Sequence, residues 1–232
     1  MKIVITQAYF IADDAAEQKI MKPYPPLGLL YVSAYLKKNG YQPKVLDSTF
    51  ITQDDWKAFM LEEQPDVVLF YANLITKPVT LKLLSFLKEN TNANAIAGGP
   101  DVTYNKENYL AHGFDYLIVG EGEETALELI QSIEKNHDKK EISGLSFLDH
   151  GQLITTPPRT KIKEMDSIGL PDREAVDFEK YLQTWETHHT IRMANISTQR
   201  GCPYTCKWCS TAVYGQSYRR RPAEAVVDEI KY

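Results

Sequence analysis

Cysteine is absent from the first 201 residues of this chain, and its three cysteines are Cys202, Cys206 and Cys209. An odd, tightly clustered set of this kind favours a metal or cluster site over a disulfide framework. Long apolar runs are also missing, because the longest, residues 67–72, is far too short to cross a membrane. No secretory signal pattern follows Met1, so we expect a cytoplasmic protein.

Basic residues are fewer than acidic ones. The chain has 26 Lys and Arg residues and 31 Asp and Glu residues, which gives a net charge of −5 at pH 7. Binding to nucleic acid or to an anionic membrane needs clustered basic surface, so we expect neither as a partner. The composition is 43% hydrophobic and 25% charged, as in ordinary globular proteins. A length of 232 residues allows one large domain, or one domain and part of another.

Short apolar segments alternate with helical segments through the first 136 residues. The predicted strands are residues 2–6, 43–47, 66–71, 93–97 and 116–119, and the predicted helices are residues 26–40, 54–61, 76–89 and 123–134. This alternation predicts an α/β fold with a doubly wound parallel sheet, whose ligands bind beyond the carboxyl ends of the strands. A β-hairpin is predicted next, from residues 141–148 and 152–156. Pro157 then opens a predicted linker that runs to about residue 190.

The last part of the chain predicts one strand over residues 190–198, the cysteine loop, and a helix opened by Pro222. That helix carries an apolar stripe with Val226, Val227 and Ile230, and one strand with one helix is far less than a βα barrel needs. We therefore expect an N-terminal fragment of a longer protein. Its expected parts are an α/β domain (1–136), a hairpin and linker (137–189), and the first βα unit of a barrel (190–232).

The cysteines follow the pattern C-x3-C-x2-C directly after the predicted strand. Three thiolates on one loop can hold three corners of a cubane iron–sulfur cluster, and the lack of a fourth leaves one iron open to substrate. Gly201 and Pro203 suit a loop that wraps closely around a bulky core. A structural zinc site would need further ligands, for which His188 and His189 are the candidates. Three buried structural cysteines are the other alternative.

This loop resembles the cluster loop of the radical S-adenosylmethionine (SAM) superfamily, whose signature is C-x3-C-x-aromatic-C, with Trp208 in the aromatic position. The resemblance implies a [4Fe–4S] cluster on Cys202, Cys206 and Cys209, with SAM on the open iron and Trp208 near its adenine. It also implies a 5′-deoxyadenosyl radical and a one-electron donor such as flavodoxin or ferredoxin. Cofactors carry such chemistry and the protein positions them, so no catalytic side chain is assigned.

The upstream segment resembles the cobalamin-binding domain that precedes the barrel in one large class of radical SAM proteins. The resemblance rests on residues 25–29, 47, 98–101 and 120–123, and it implies a flavodoxin- or Rossmann-like sheet of the cobalamin-binding type followed by the start of a radical SAM barrel. The implied cobalamin contacts are Leu27, Gly28, Asp47, Asn73, Leu74, Gly98, Gly99, Gly120, Glu121 and Gly122. No D-x-H-x-x-G motif supplies an axial histidine, which implies a base-off corrinoid or a domain that has lost cobalamin.

Two rival interpretations concern charged segments. Dinucleotide binding at residues 120–125 is disfavoured, because Glu121, Glu123 and Glu124 would repel a pyrophosphate at the start of the helix. The basic run of residues 219–221 is either a solvated or salt-bridged surface or a ligand clamp.

Together the resemblances imply a cobalamin-dependent radical SAM enzyme that transfers a methyl group to an unactivated centre of a small-molecule substrate. A radical SAM cyclase or rearrangement enzyme is one alternative, and a non-catalytic corrinoid-binding fragment is another. We expect the isolated fragment to be inactive, because an incomplete barrel cannot shield a radical from water.

Overall fold

The computed structural model describes residues 1–209 and 213–231, and its centre is a seven-stranded sheet of order β2-β1-β3-β4-β5-β6-β7. The strands are β1 (Ile3–Gln7), β2 (Lys44–Leu46), β3 (Val67–Tyr71), β4 (Asn94–Gly98), β5 (Tyr116–Ile118), β6 (Leu145–Asp149) and β7 (Gln152–Thr155). Strands β1 to β5 are parallel, and the β6–β7 hairpin joins β5 antiparallel. The predicted doubly wound parallel sheet is confirmed, and the predicted hairpin extends it.

Helices connect and cover these strands. In the described residues they are α1 (Ala15–Ile20), α2 (Leu27–Lys38), α3 (Gln53–Glu63), α4 (Lys77–Asn90), α5 (Lys106–Ala111), α6 (Gly122–Lys135), α7 (Phe178–His189) and α8 (Ala223–Lys231). The sequence predicts α2, α3, α4 and α6 to within a few residues, but not α1 or α5. Helix α1 has six residues and buries none of them, so it lacks the apolar stripe that reveals a helix. None of the described helices is both long and apolar enough to cross a bilayer.

Two apolar cores lie on opposite faces of the sheet. Helices α3 and α4 pack on one face through Trp56 and Leu84, and α2 and α6 pack on the other through Leu36 and Leu129. Strand β3 is therefore buried from both sides, as its uninterrupted apolar run predicts. The carboxyl ends of the parallel strands meet at one edge of the sheet, where folds of this type bind ligands.

The predicted strand over residues 190–198 is wrong. In the described chain, residues 191–198 have no strand partner, and pairing begins only where β8 (Gln199–Arg200) meets β9 (Arg219–Arg220) in a two-residue antiparallel ladder. The physical reason is that polar side chains tie this segment to its neighbours. Asn195 Nδ2 donates to the carbonyl of Pro25 at 2.9 Å, and Arg192 pairs with two glutamates of α7.

The predicted linker up to residue 190 contains helix α7. Its sequence conceals the helix because only Tyr181 and Trp185, four residues apart, are buried. Asp177 caps its start by accepting a hydrogen bond from the N–H of Lys180 at 3.0 Å. Trp185 Nε1 donates to the carbonyl of Pro23 at 2.8 Å, so the helix is docked on the α/β unit.

Candidate functional site

A cavity of about 450 Å³ lies at the carboxyl edge of the sheet. Its walls come from the ends of β3, β4 and β5, the starts of α2 and α6, and Val213 and Tyr214, which follow the cysteine loop. The cavity brings together seven of the residues predicted from the sequence: Leu27, Gly28, Gly98, Gly99, Gly120, Glu121 and Gly122. Because the walls are mostly apolar or glycine backbone, the cavity suits a large, partly apolar ligand.

Two of the cavity glycines have different physical roles. Gly99 has φ +120°, and a Cβ there would lie 2.4 Å from the carbonyl oxygen of Ala72, so the close approach of β4 to the end of β3 requires glycine. A Cβ at Gly28 would meet only the ring of Tyr71, at an ordinary 3.9 Å. Gly99 therefore shapes the backbone, whereas Gly28 leaves open space beside the cavity.

Three predicted corrinoid contacts lie outside the cavity lining. Asp47 accepts hydrogen bonds from Tyr181 Oη at 2.5 Å and from Thr49 Oγ1 at 2.7 Å. Asn73 Oδ1 accepts from the backbone N–H three residues on, at 2.9 Å, and so supports the start of α4. Leu74 is 73% exposed. Contact between these residues and a corrinoid stays a prediction.

Burial and the hydrogen bond to Asp47 keep the hydroxyl of Tyr181 protonated. Burial raises the pKa of Tyr181 above its ordinary value near 10, and the negative charge of Asp47 raises it further. The phenol is therefore a neutral donor, and it holds α7 against the segment that follows β2.

Buried ion pairs connect the cavity wall to the cysteine loop. The side chain of Arg200 is 2% exposed, and its Nη1 donates to Glu121 Oε1 at 3.1 Å while its Nη2 pairs with Glu123. Arg219 Nη1 donates to both carboxylate oxygens of Glu121, at 2.9 Å each. Glu121 also accepts the backbone N–H of Ile162 at 2.9 Å. The carboxylate predicted to contact cobalamin is thus engaged by the protein itself.

Arg200 also lies between two aromatic rings. Its guanidinium carbon is 5.2 Å from the centre of the Tyr31 ring and 5.1 Å from that of Tyr214, within cation–π range. Burial by itself would lower the pKa of Arg200, but its partners, chiefly Glu123 with Glu121, together outweigh burial and hold that pKa above its ordinary value. Arg200 is therefore a permanent cation at the centre of this contact.

A second ion-pair group holds the end of the described chain. Glu229 of α8 accepts from Arg173 Nη2 at 2.7 Å and pairs with Arg221, and its side chain is 1% exposed. Arg221 Nη1 also donates to the carbonyl of Ser197 at 2.9 Å. Of the two interpretations of the basic run 219–221, the salt-bridged one is confirmed for Arg219 and Arg221.

The cysteine loop carries free thiols. Cys202 is partly exposed, and Cys206 and Cys209 are exposed. Among residues 1–209 and 213–231, no three His, Cys, Asp or Glu side chains are gathered closely enough to hold a metal ion. Three thiols without a fourth suit the chemistry of a cluster with one open iron, although this conformation does not assemble them. Trp208 is 89% exposed, and its predicted contact with SAM stays a prediction, as do the three cysteine ligands.

Comparison with known proteins agrees with the fold and the motifs. Residues 18–130 match the family model described as the B12 binding domain. An uncharacterized methyltransferase of Pyrococcus horikoshii is 28% identical over 89% of this chain and 45% of its own length. The anaerobic magnesium-protoporphyrin IX monomethyl ester cyclase of Cereibacter sphaeroides is also 28% identical, over 100% of this chain and 38% of its own.

Over residues 18–130 the chain is therefore similar to the B12 binding domain. Solved structures share its fold. The radical SAM methyltransferase TsrM of Kitasatospora setae, solved with cobalamin and a [4Fe–4S] cluster, matches 100% of this chain and 45% of its own with a TM-score of 0.75 and 21% identity. The cobalamin-dependent SAM radical enzyme OxsB matches 99% and 31% with a TM-score of 0.80 and 18% identity. This chain spans less than half the length of each of these relatives.

Sequence reasoning missed three residues around the B12-binding domain: Arg200, Tyr214 and Tyr181. One signal could have found Arg200. The acidic turn at residues 121–124 needs cationic partners if it is buried, and the arginines that flank the cysteine loop are suitable. Neither Tyr214 nor Tyr181 belongs to a local pattern that marks it.

Proposed function

We propose that this chain is the corrinoid-binding part of a cobalamin-dependent radical SAM enzyme, and that the reaction is methyl transfer from SAM to an unactivated centre of a small molecule. The observation that carries the proposal is the apolar, glycine-walled cavity within the B12-binding domain, bordered by the segment that follows the cysteine loop. Because the chain spans less than half of its relatives, the reaction is proposed for the whole protein.

The cavity residues would bind and orient the corrinoid. Gly98, Gly99 and Gly122 present backbone instead of side chains, so a broad ring system can come close to the ends of β4 and β5. Leu27 and Tyr71 would exclude water from it. None of the described residues that line the cavity is a histidine, so this wall offers no imidazole to cobalt, in keeping with base-off binding.

The cysteine loop would supply the second site. Cys202, Cys206 and Cys209 would hold a [4Fe–4S] cluster, and Trp208 would lie beside the adenine of SAM. When bound, these groups supply one-electron cleavage of SAM, and the corrinoid supplies methyl carriage. The partners required are a small-molecule substrate and a one-electron donor such as flavodoxin or ferredoxin. The buried arginines would keep the base of the loop in place beside the cavity.

Radical cyclisation is a second candidate, because the cyclase of Cereibacter sphaeroides aligns with the full length of this chain. An assay of the whole protein distinguishes methyl transfer from cyclisation. Incubation with SAM labelled in its methyl group transfers the label to product in a methyltransferase, whereas a cyclase product carries none.

Corrinoid binding is tested by anaerobic titration with hydroxocobalamin, followed by gel filtration and measurement of cobalt per chain. We expect stoichiometric retention with a base-off absorbance spectrum. Gly28→Leu should weaken binding about ten-fold or more, because overpacking a filled site costs roughly 1–3 kcal/mol. Ser85→Leu is the matched control, since it adds the same side chain on the exposed face of α4.

Circular dichroism on both variants establishes that they are folded. A folded wild-type chain that retains no cobalt would contradict the proposal. Equal retention by Gly28→Leu and wild type would place the corrinoid outside this cavity.

A further inference from the structure

The cavity is closed by two distant parts of the sequence. Glycines at the ends of β4 and β5 line one side, and Val213 and Tyr214, which follow the cysteine loop, line the other. The loop leaves the fold just after Arg200, and Tyr214 returns to within 5.1 Å of the Arg200 guanidinium. The segment that carries the cysteines is therefore pinned at its base to the wall of the corrinoid cavity.

The residues on either side of the cysteine loop are paired and closely packed. Strands β8 and β9 pair on either side of it, and a further bridge joins Cys202 to Gln216. Gly201 has φ +81°, and a Cβ there would lie 2.2 Å from Ser217 Oγ, so the strand entering the loop packs directly on the strand leaving it. A shift on one side of the loop is therefore transmitted to the other.

Arg200 connects this base to the cavity wall. Its partners are Glu121, the residue before α6, and Glu123, in the first turn of α6; both line the cavity, and their side chains are each 5% exposed. Separating the two buried carboxylates from the Arg200 guanidinium would cost a large free energy, because it leaves buried charges unpaired. The start of α6 and the base of the cysteine loop are therefore expected to move together. Lysine could keep the charge of Arg200 but not its planar, two-pronged contact.

We propose that Arg200 is a positioning residue that couples corrinoid occupancy of the cavity to the order of the cysteine loop. The inference rests on the proposed function, because the occupant is the corrinoid. A corrinoid that fixes the wall at Glu121, Glu123 and Tyr214 also fixes Arg200, and thereby the residues on both sides of Cys202 and Cys209. Such coupling is reciprocal, so a loop ordered around its cluster raises the affinity for the corrinoid by the same factor.

Hydrogen–deuterium exchange of the full chain tests the coupling, with and without saturating hydroxocobalamin. In the wild type, hydroxocobalamin should slow exchange in peptides that span the cysteine loop. Arg200→Lys should bind hydroxocobalamin about ten-fold more weakly and lose most of this protection. Arg192→Lys is the matched control, because Arg192 also bridges two glutamates, Glu179 and Glu186, but is 43% exposed and lies away from the cavity.

Tyr214→Ala provides a second variant that leaves the ion pairs intact, and it decides the question if Arg200→Lys fails to fold. Because Tyr214 itself lines the cavity, the deciding measurement is exchange at saturating hydroxocobalamin, where protection of the loop should be reduced. Wild-type protein that binds hydroxocobalamin without protecting the loop would overturn the inference and leave the proposed function standing. Wild-type affinity and protection in Arg200→Lys or Tyr214→Ala would overturn it as well. Wild-type protein that binds no hydroxocobalamin overturns both.

Discussion

At the scale of single residues, the glycines of the cavity divide into those that the backbone requires, such as Gly99, and those where a side chain would meet only ordinary contacts, such as Gly28. The sequence predicts Gly98 and Gly99 as cofactor contacts, and both line the cavity. It cannot predict that Gly99 has a left-handed φ or that the carbonyl of Ala72 lies where its Cβ would be. Both facts depend on how β4 sits beside β3, which local sequence does not encode.

Gly99→Ala should therefore lower the free energy of unfolding by about 2–5 kcal/mol, the sum of backbone strain and a close contact. Gly113→Ala is the control, because Gly113 also has a positive φ, +106°, but its Cβ would meet no atom within 4 Å. It should cost about 1 kcal/mol, for strain alone. Urea denaturation measures both, and equal losses would contradict the close approach at Gly99.

The acidic turn shows a second limit of sequence reasoning. From the sequence its carboxylates count against a pyrophosphate at the start of α6, and this stays a prediction. The turn indicates that cationic partners are needed, but local spacing cannot single out Arg200, which lies 79 residues from Glu121 along the chain. Local patterns identify which groups need partners, and the tertiary fold decides which partners they receive.

At the scale of secondary structure, buried elements were predictable and docked surface elements were not. The apolar run of β3 marks it as a central strand, and the structure agrees. Residues 190–198 include apolar side chains typical of a strand, but the contact of Asn195 with Pro25 places that segment against a loop instead of in a sheet. The sequence pattern does not predict helix α7, because the helix buries only two residues. One of them, Tyr181, bonds to Asp47, which is 134 positions away.

The bond between Tyr181 and Asp47 predicts how stability depends on pH. The pKa of Tyr181 is raised in the folded chain, so the stability that it contributes is fully present below the unfolded value near pH 10 and is lost as pH rises above it. Tyr181→Phe should lower the free energy of unfolding by about 1–2 kcal/mol at pH 7. It should also flatten the decline of stability above about pH 10.

Urea denaturation at a series of pH values measures both effects. Tyr204→Phe is the control, because Tyr204 is 71% exposed, and it should leave stability unchanged. An alkaline decline as steep in Tyr181→Phe as in the wild type would contradict the role assigned to this phenol.

At the scale of the whole molecule, two buried ion-pair groups hold the cysteine-loop segment and α8 to the α/β domain and to the segment that precedes α7. One joins Arg200 and Arg219 to the start of α6, and the other joins Arg173 and Arg221 to Glu229 of α8. The sequence motifs predict both cofactor sites separately. How the sites are joined depends on long-range charge pairs, which appear only in the folded chain.

The central claim is that the corrinoid occupies the cavity between the ends of the parallel strands and Tyr214. The most direct test is a crystal structure of this chain grown anaerobically with hydroxocobalamin. We predict corrin density over Gly98 and Gly99, in contact with Tyr214, with Arg200 still bonded to Glu121 and Glu123. Corrin density elsewhere on the molecule, or an ordered chain with an empty cavity at saturating hydroxocobalamin, would contradict the account.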